Sequence, residues 1–126
     1  MAIGKIFEDA VFPKEGWYGV DLDETLAYYF GPIGNTEIGD PVMDIFLIVR
    51  KWLDEGKDVR LLTARASFPE EVPKIESWLT KYGIEKVVIT NVKSPGMVML
   101  LDDKAREVAS NTGIIIGGLR DQVKWR

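Results

Sequence analysis

Trp17-Tyr18-Gly19-Val20-Asp21-Leu22-Asp23-Glu24-Thr25-Leu26 is the stretch on which the fold turns. An apolar run long enough for one buried strand, residues 17–22, stops at two aspartates separated by a single residue. In an open α/β sheet, ligands bind outside the carboxyl ends of the strands. Two carboxylates held there repel each other and lose hydration, and a cation relieves both costs. Mg²⁺ favours oxygen ligands of this kind. The same residues also suit a capped strand running into an Asp-rich turn. Downstream residues decide between the two.

After Thr25, residues 26–39 are rich in glycine and read as a short flap beside the strand end, too short for a separate lid domain. Asp40 is placed to N-cap a helix, with Pro41 at its first position. Val42, Ile45, Phe46, Val49, Trp52 and Leu53 give that helix one apolar stripe, and Gly56 suits a left-handed C-cap. Val59 to Leu62 is a second strand, ending at Thr63, Ala64 and Arg65. A second helix is expected from near Pro69, with Val72, Ile75, Trp78, Leu79 and Tyr82 inward and Gly83 as its stop. Pro73 fits only in its first turn.

Lys86 to Thr90 is a third strand, and Met97 to Leu101 a fourth that runs into Asp102-Asp103. A short helix over 104–110, a turn at Asn111-Thr112-Gly113 and a fifth strand, Ile114 to Ile116, are expected next. The tail from Leu119 is expected to dock through Val123 and Trp125, while residues 1–16 suit either a short amphipathic helix or an edge strand. Strands alternating with helices predict one α/β domain over residues 1–126. Its expected form is a doubly wound, Rossmann-like, mostly parallel five-stranded sheet with helices on both faces and no cap domain.

Composition narrows the chemistry. The 126 residues contain no cysteine, which removes disulfides and thiol catalysis and is compatible with a cytoplasmic setting. They contain no histidine, which removes a Ser-His-Asp site, a histidine base and the usual zinc sites. Catalysis must then run on carboxylates, lysine, hydroxyls or a hard metal ion. No apolar run approaches a membrane span and no signal-peptide pattern opens the chain, so no membrane partner is expected. A net charge of −4 gives no footprint for nucleic-acid binding.

The remaining polar residues fall at one sheet edge. Asp21 and Asp23 follow the first strand, Thr63 ends the second, Lys93 lies past the third, and Asp102 and Asp103 end the fourth. Four carboxylates, a hydroxyl and an ammonium suit phosphoryl transfer. Each residue also has a plainer role: Asp102 as a helix N-cap, Asp103 as a first-turn charge, Thr63 as a strand end, and Lys93 as a solvated loop lysine. Arg65 suits either a leaving-group contact or a surface salt bridge.

Asp21-Leu22-Asp23-Glu24-Thr25 resembles the first motif, DxDxT, of the haloacid dehalogenase superfamily of phosphohydrolases. Arg60-Leu61-Leu62-Thr63 resembles the second, Lys93 is similar in position to the third, and Leu100-Leu101-Asp102-Asp103 resembles the fourth. Ile38-Gly39-Asp40-Pro41, Thr63-Ala64-Arg65, Thr90-Asn91-Val92-Lys93, Asp102-Asp103-Lys104-Ala105 and Asn111-Thr112-Gly113 are similar to small uncapped members from phages and bacteria. The resemblance implies a phosphatase with Asp21 as nucleophile and Asp23 as general acid/base. It implies Mg²⁺ held by the Asp21 carboxylate, the Asp23 carbonyl and Asp102, with Asp103 assisting, and phosphoryl contacts from Thr63 and Lys93. Glu24 departs from the family pattern, where glycine is commoner.

Two other classes compete. A phospho-acceptor module of the response-regulator kind gathers similar residues, but its acidic pair comes after the first strand and its hydroxyl and lysine last. A binding protein on a similar scaffold would keep the motifs with little turnover. Without a cap, the site is expected to be open. It then suits a bulky phosphorylated substrate, such as a nucleic-acid end or a phosphoprotein, or a small one shielded in a homo-oligomer.

Overall fold

The computed structural model describes residues 15–29 and 37–119. Expectations for residues 1–14, for the crest of the flap and for docking through Val123 and Trp125 fall outside them. Four strands, β1 (Trp17–Val20), β2 (Asp58–Leu62), β3 (Val88–Thr90) and β4 (Met97–Leu101), form one sheet in the order β3-β2-β1-β4. Every pairing is parallel. Two α-helices, α1 (Met43–Asp54) and α2 (Val72–Lys81), fill the first two crossovers. The architecture is α/β and consistent with a Rossmann-like arrangement.

Both helices cover the same face. Right-handed crossovers from β1 to β2 and from β2 to β3 step in one direction and place their helices together. Phe46 of α1 meets Tyr82, just past α2, edge to face at 6.5 Å, and Arg50 donates to the Gly83 carbonyl at 2.6 Å. The stripes read from the sequence supply the core: Val49, Ile75, Trp78 and Leu79 pack with Val20, Val59 and Leu61. Pro73 sits in the first turn of α2. Gly56, at φ 77°, follows α1, where its N–H and that of Lys57 take the carbonyls of Leu53 and Trp52.

The expectation of helices on both faces is not met among the described residues. The connection from Thr90 to Met97 must pass β2 and β1 while returning to the opposite sheet edge, a diagonal of about 20 Å at ordinary strand spacing. Seven Cα steps span at most about 25 Å when extended. No length is left for a helix. The segment crosses the second face without a helix and turns into β4 at Pro95-Gly96. Trp17 anchors it there, donating from Nε1 to the carbonyls of Ser94 and Pro95 at 3.2 and 3.1 Å. Arg60 stacks on the Trp17 ring at 4.8 Å and donates to Ser94 Oγ at 2.9 Å.

Three local expectations are corrected. Asp40 does not cap α1: the N-cap is Val42, with no side-chain hydrogen bond. The backbone there is taken by a short antiparallel pairing, with Tyr28 N donating to Asp40 O and Val42 N to Leu26 O. No helix forms over 104–110, and Ile114–Ile116 adds no fifth strand to the sheet. Instead Val108 bridges Ile115 antiparallel, with Ala109 N donating to Ile114 O and Ile116 N to Glu107 O. Asn111, at φ 62°, turns the chain back between them.

The flap base imposes its own steric demand. A Cβ on Gly39 would lie 2.2 Å from the Tyr28 carbonyl oxygen, and the Gly39 carbonyl accepts from Trp78 Nε1 at 2.8 Å. Gly39→Ala is therefore expected to lower stability by about 1–3 kcal/mol through forced backbone displacement. Urea unfolding of the two proteins side by side measures this, and an unchanged midpoint would contradict it.

Candidate metal and phosphoryl site

The sheet order reverses direction at β1, whose neighbours are β2 on one side and β4 on the other. The carboxyl-end crevice between β1 and β4 is the place where such sheets bind ligands. Asp21 follows β1 and remains in the ladder, its N–H donating to Leu101 O at 2.8 Å. Asp102 and Asp103 follow β4 directly. One carboxylate oxygen from each of Asp21, Asp102 and Asp103 lies within 4.8 Å of the others. Asp21 is buried and the other two are half-buried.

Local hydrogen bonds build this group. Leu22 O accepts from the N–H groups of Thr25, Leu26 and Ala27, winding residues 22–27 into a tight loop. That loop needs a left-handed residue, and Glu24 takes it at φ 68°, a conformation that costs a non-glycine residue about 1–2 kcal/mol. Glu24 also faces Lys104 at 3.5 Å, and Lys104 lies 3.7 Å from Asp103. Asp102 accepts from the Lys104 N–H at 2.7 Å, closing an Asx turn rather than capping a helix.

Thr25 is a site residue that the sequence reading left without a role. Its buried hydroxyl accepts from Asp103 N at 3.1 Å, and lies 3.2 Å from Asp103 Oδ1 and 3.5 Å from Asp21 Oδ2. It pins the loop after β4 to the loop after β1. Its position in DxDxT was the available signal.

Thr63, buried at the end of β2, extends the ladder through its N–H to Thr90 O at 3.0 Å. Its hydroxyl accepts from Arg65 N at 3.2 Å and opens the 3₁₀ turn Ala64–Ser67. A hydroxyl carries one donor and two acceptor positions, so this bond leaves its proton available. Lys93 is exposed, with no hydrogen bond or ion pair to the acidic group among the described residues. The structure thus gathers Asp21, Asp102 and Asp103, sets Thr63 at the adjacent strand end, and leaves Lys93 in solvent.

Asp23 departs from its expected surroundings. Its carboxylate faces Arg65 in a two-pronged pair, Nε to Oδ2 at 2.8 Å and Nη2 to Oδ1 at 2.9 Å. Arg65 also reaches Glu71 Oε1 from Nη1 at 2.8 Å, and Lys74 Nζ lies 2.7 Å from Glu71 Oε2. Arg65 is therefore no surface salt bridge: its side chain is 10% exposed and that of Glu71 8%. Burial alone would lower the Arg65 pKa, but Asp23 and Glu71 outweigh it and raise the value. The Lys74 ammonium, opposed by burial and aided by Arg65, holds the Glu71 carboxyl below its ordinary value. Glu71 was invisible as a site neighbour, since in sequence it reads as a first-turn helix acid.

A lowered folded-state pKa makes Glu71 stabilising above the unfolded value of 4.5, and that contribution is lost as pH falls through the folded value. Glu71→Gln is expected to unfold at lower urea than wild type at pH 6, with the gap closing toward pH 3. A gap constant across that range would contradict the assignment.

Comparison with models of known families, with curated proteins and with solved structures gives no match. No helix among the described residues is long and apolar enough to cross a membrane.

Proposed function

We propose that the chain is a Mg²⁺-dependent phosphatase of the haloacid dehalogenase type, hydrolysing a phosphomonoester through an aspartyl-phosphate on Asp21. The observation that carries this reading is the meeting of Asp21, Asp102 and Asp103 within 4.8 Å at the β1/β4 crevice. Three hard oxygen donors fit Mg²⁺ and do not fit a soft metal. Their carboxylates, with the Asp23 carbonyl, would hold the ion, which supplies charge neutralisation at the phosphoryl oxygens.

The protein groups then divide the chemistry. Asp21 attacks phosphorus as the bond to the leaving oxygen breaks, and Asp23 gives that oxygen a proton. Water next attacks the aspartyl-phosphate, Asp23 takes a proton back, and phosphate leaves with Asp21 restored. Thr63 is assigned a hydrogen bond to a phosphoryl oxygen and Lys93 the balancing positive charge. A site without a cap domain, as read from the sequence, would admit a bulky phosphorylated substrate or a small one shielded by a neighbouring subunit.

Phosphate release from an aryl phosphate, sugar phosphates, nucleotides and a 3′-phosphorylated oligonucleotide, with Mg²⁺ and with chelator, tests the reading. Mg²⁺-dependent release supports it and ranks the substrate classes. Silence from folded protein that binds Mg²⁺ would shift the assignment to a phospho-acceptor or binding role.

A further inference from the structure

We propose that Arg65 is the positioning residue for Asp23, holding its carboxylate in the orientation used for proton transfer, with Glu71 bracing the guanidinium from behind. The inference rests on the phosphatase reading and adds to it a residue that touches neither phosphorus nor metal. Geometry carries it. The fork binds both Asp23 oxygens at 2.8 and 2.9 Å, and such a two-pronged contact fixes the plane of a carboxylate as well as its place. An ionised carboxylate offers about four acceptor positions, so the fork leaves one on each oxygen free to exchange a proton.

Arg65 is itself immobilised. Nη1 is held by Glu71 at 2.8 Å, and Nη2 also reaches the Glu37 carbonyl at 3.3 Å where the flap returns. Its backbone N–H is tied to Thr63 Oγ1. Behind it, Lys74 balances Glu71 at 2.7 Å. Asp23, Arg65, Glu71 and Lys74 thus form a chain of alternating charge from the crevice to the surface of α2. A chain this buried is a weak device for stability, because desolvation offsets its attraction. Its effect is to set where one carboxylate points.

Leaving-group dependence separates this role from a structural one. An activated aryl phosphate expels its phenolate without a proton, whereas an alkyl phosphate needs one. In Arg65→Gln, kcat/KM for the alkyl ester is expected to fall about 10–100-fold and kcat/KM for the aryl ester by less than about 3-fold, because kcat/KM reports departure of the leaving group whereas hydrolysis of the aspartyl-phosphate is common to both esters. Asp23→Asn should show the same pattern more strongly, and the double variant should lose no more than Asp23→Asn alone. Arg65→Lys keeps the charge but lacks the fork, so it should recover only part of the loss. Glu71→Gln should repeat the pattern weakly. These two carry the test if circular dichroism shows Arg65→Gln unfolded. Equal losses of kcat/KM on both esters, or additive losses in the double variant, would overturn the role of Arg65 with the phosphatase intact. Wild type inactive on both esters would overturn the phosphatase reading and this role with it.

Discussion

Asp21→Asn is expected to lower Mg²⁺-dependent phosphate release by at least about 10³-fold, on the order of 4 kcal/mol of barrier. The amide has no lone pair of comparable nucleophilicity, and it removes one of three carboxylates gathered within 4.8 Å. The proposed nucleophile and part of the proposed metal site would be lost in one substitution. The fold should survive it. Asp21 is buried, its backbone stays in the ladder through Leu101 O, and Asn is nearly isosteric. Without metal, removing one of three neighbouring negative charges relieves repulsion, so the variant should melt no lower than wild type in chelator. Activity and stability are thus expected to move in different directions. Phosphate release and thermal unfolding, measured on the same preparations, check both halves. Retention of more than about a tenth of wild-type kcat would remove Asp21 from the role of nucleophile.

What could be read from the sequence follows from what buried faces impose. The apolar stripes of α1 and α2 and the runs of β1, β2 and β4 were legible because a covered face demands a fixed period. Asp21, Asp102 and Asp103 were legible as a group because parallel strands bring their carboxyl ends to one edge. The errors arise where distant backbone pairing outweighs local chemistry. Asp40 and Pro41 carry every local sign of a helix start, yet the pairing of residues 26–28 with 40–42 takes that backbone first. A helix over 104–110 would have been under two turns, too short to repay its nucleation, and pairing across the Asn111 turn replaces it. The absence of a helix between β3 and β4 was legible in principle, since residues 91–96 are too few to hold one. Partners of Arg65 and Thr25 were not legible. Asp23 is 42 residues from Arg65, and Asp103 is 78 from Thr25.

The proposed Mg²⁺ site gives the second large expected effect. A ligand that binds only the folded state at about 100 times its Kd stabilises by about 2.7 kcal/mol. For a domain of this size that is a rise in Tm of roughly 8–13 °C. Saturating Mg²⁺ should produce such a rise in wild type, and NaCl at matched ionic strength should not, because screening acts on all surface charges alike. Asp102→Asn sharpens the expectation. It removes a carboxylate placed with Asp21 and Asp103 but keeps a side-chain oxygen for the Lys104 N–H. In chelator the variant should melt at or above wild type, since one like charge is gone. In Mg²⁺ it should melt below wild type, with less than about half of the metal-induced rise. The order of the two proteins therefore reverses between the two buffers. A cap or turn residue with no ligand role would shift Tm equally in both. Parallel melting curves in chelator and in Mg²⁺ would accordingly take Asp102 out of the metal site and leave it as the Asx-turn residue that its bond to Lys104 already makes it.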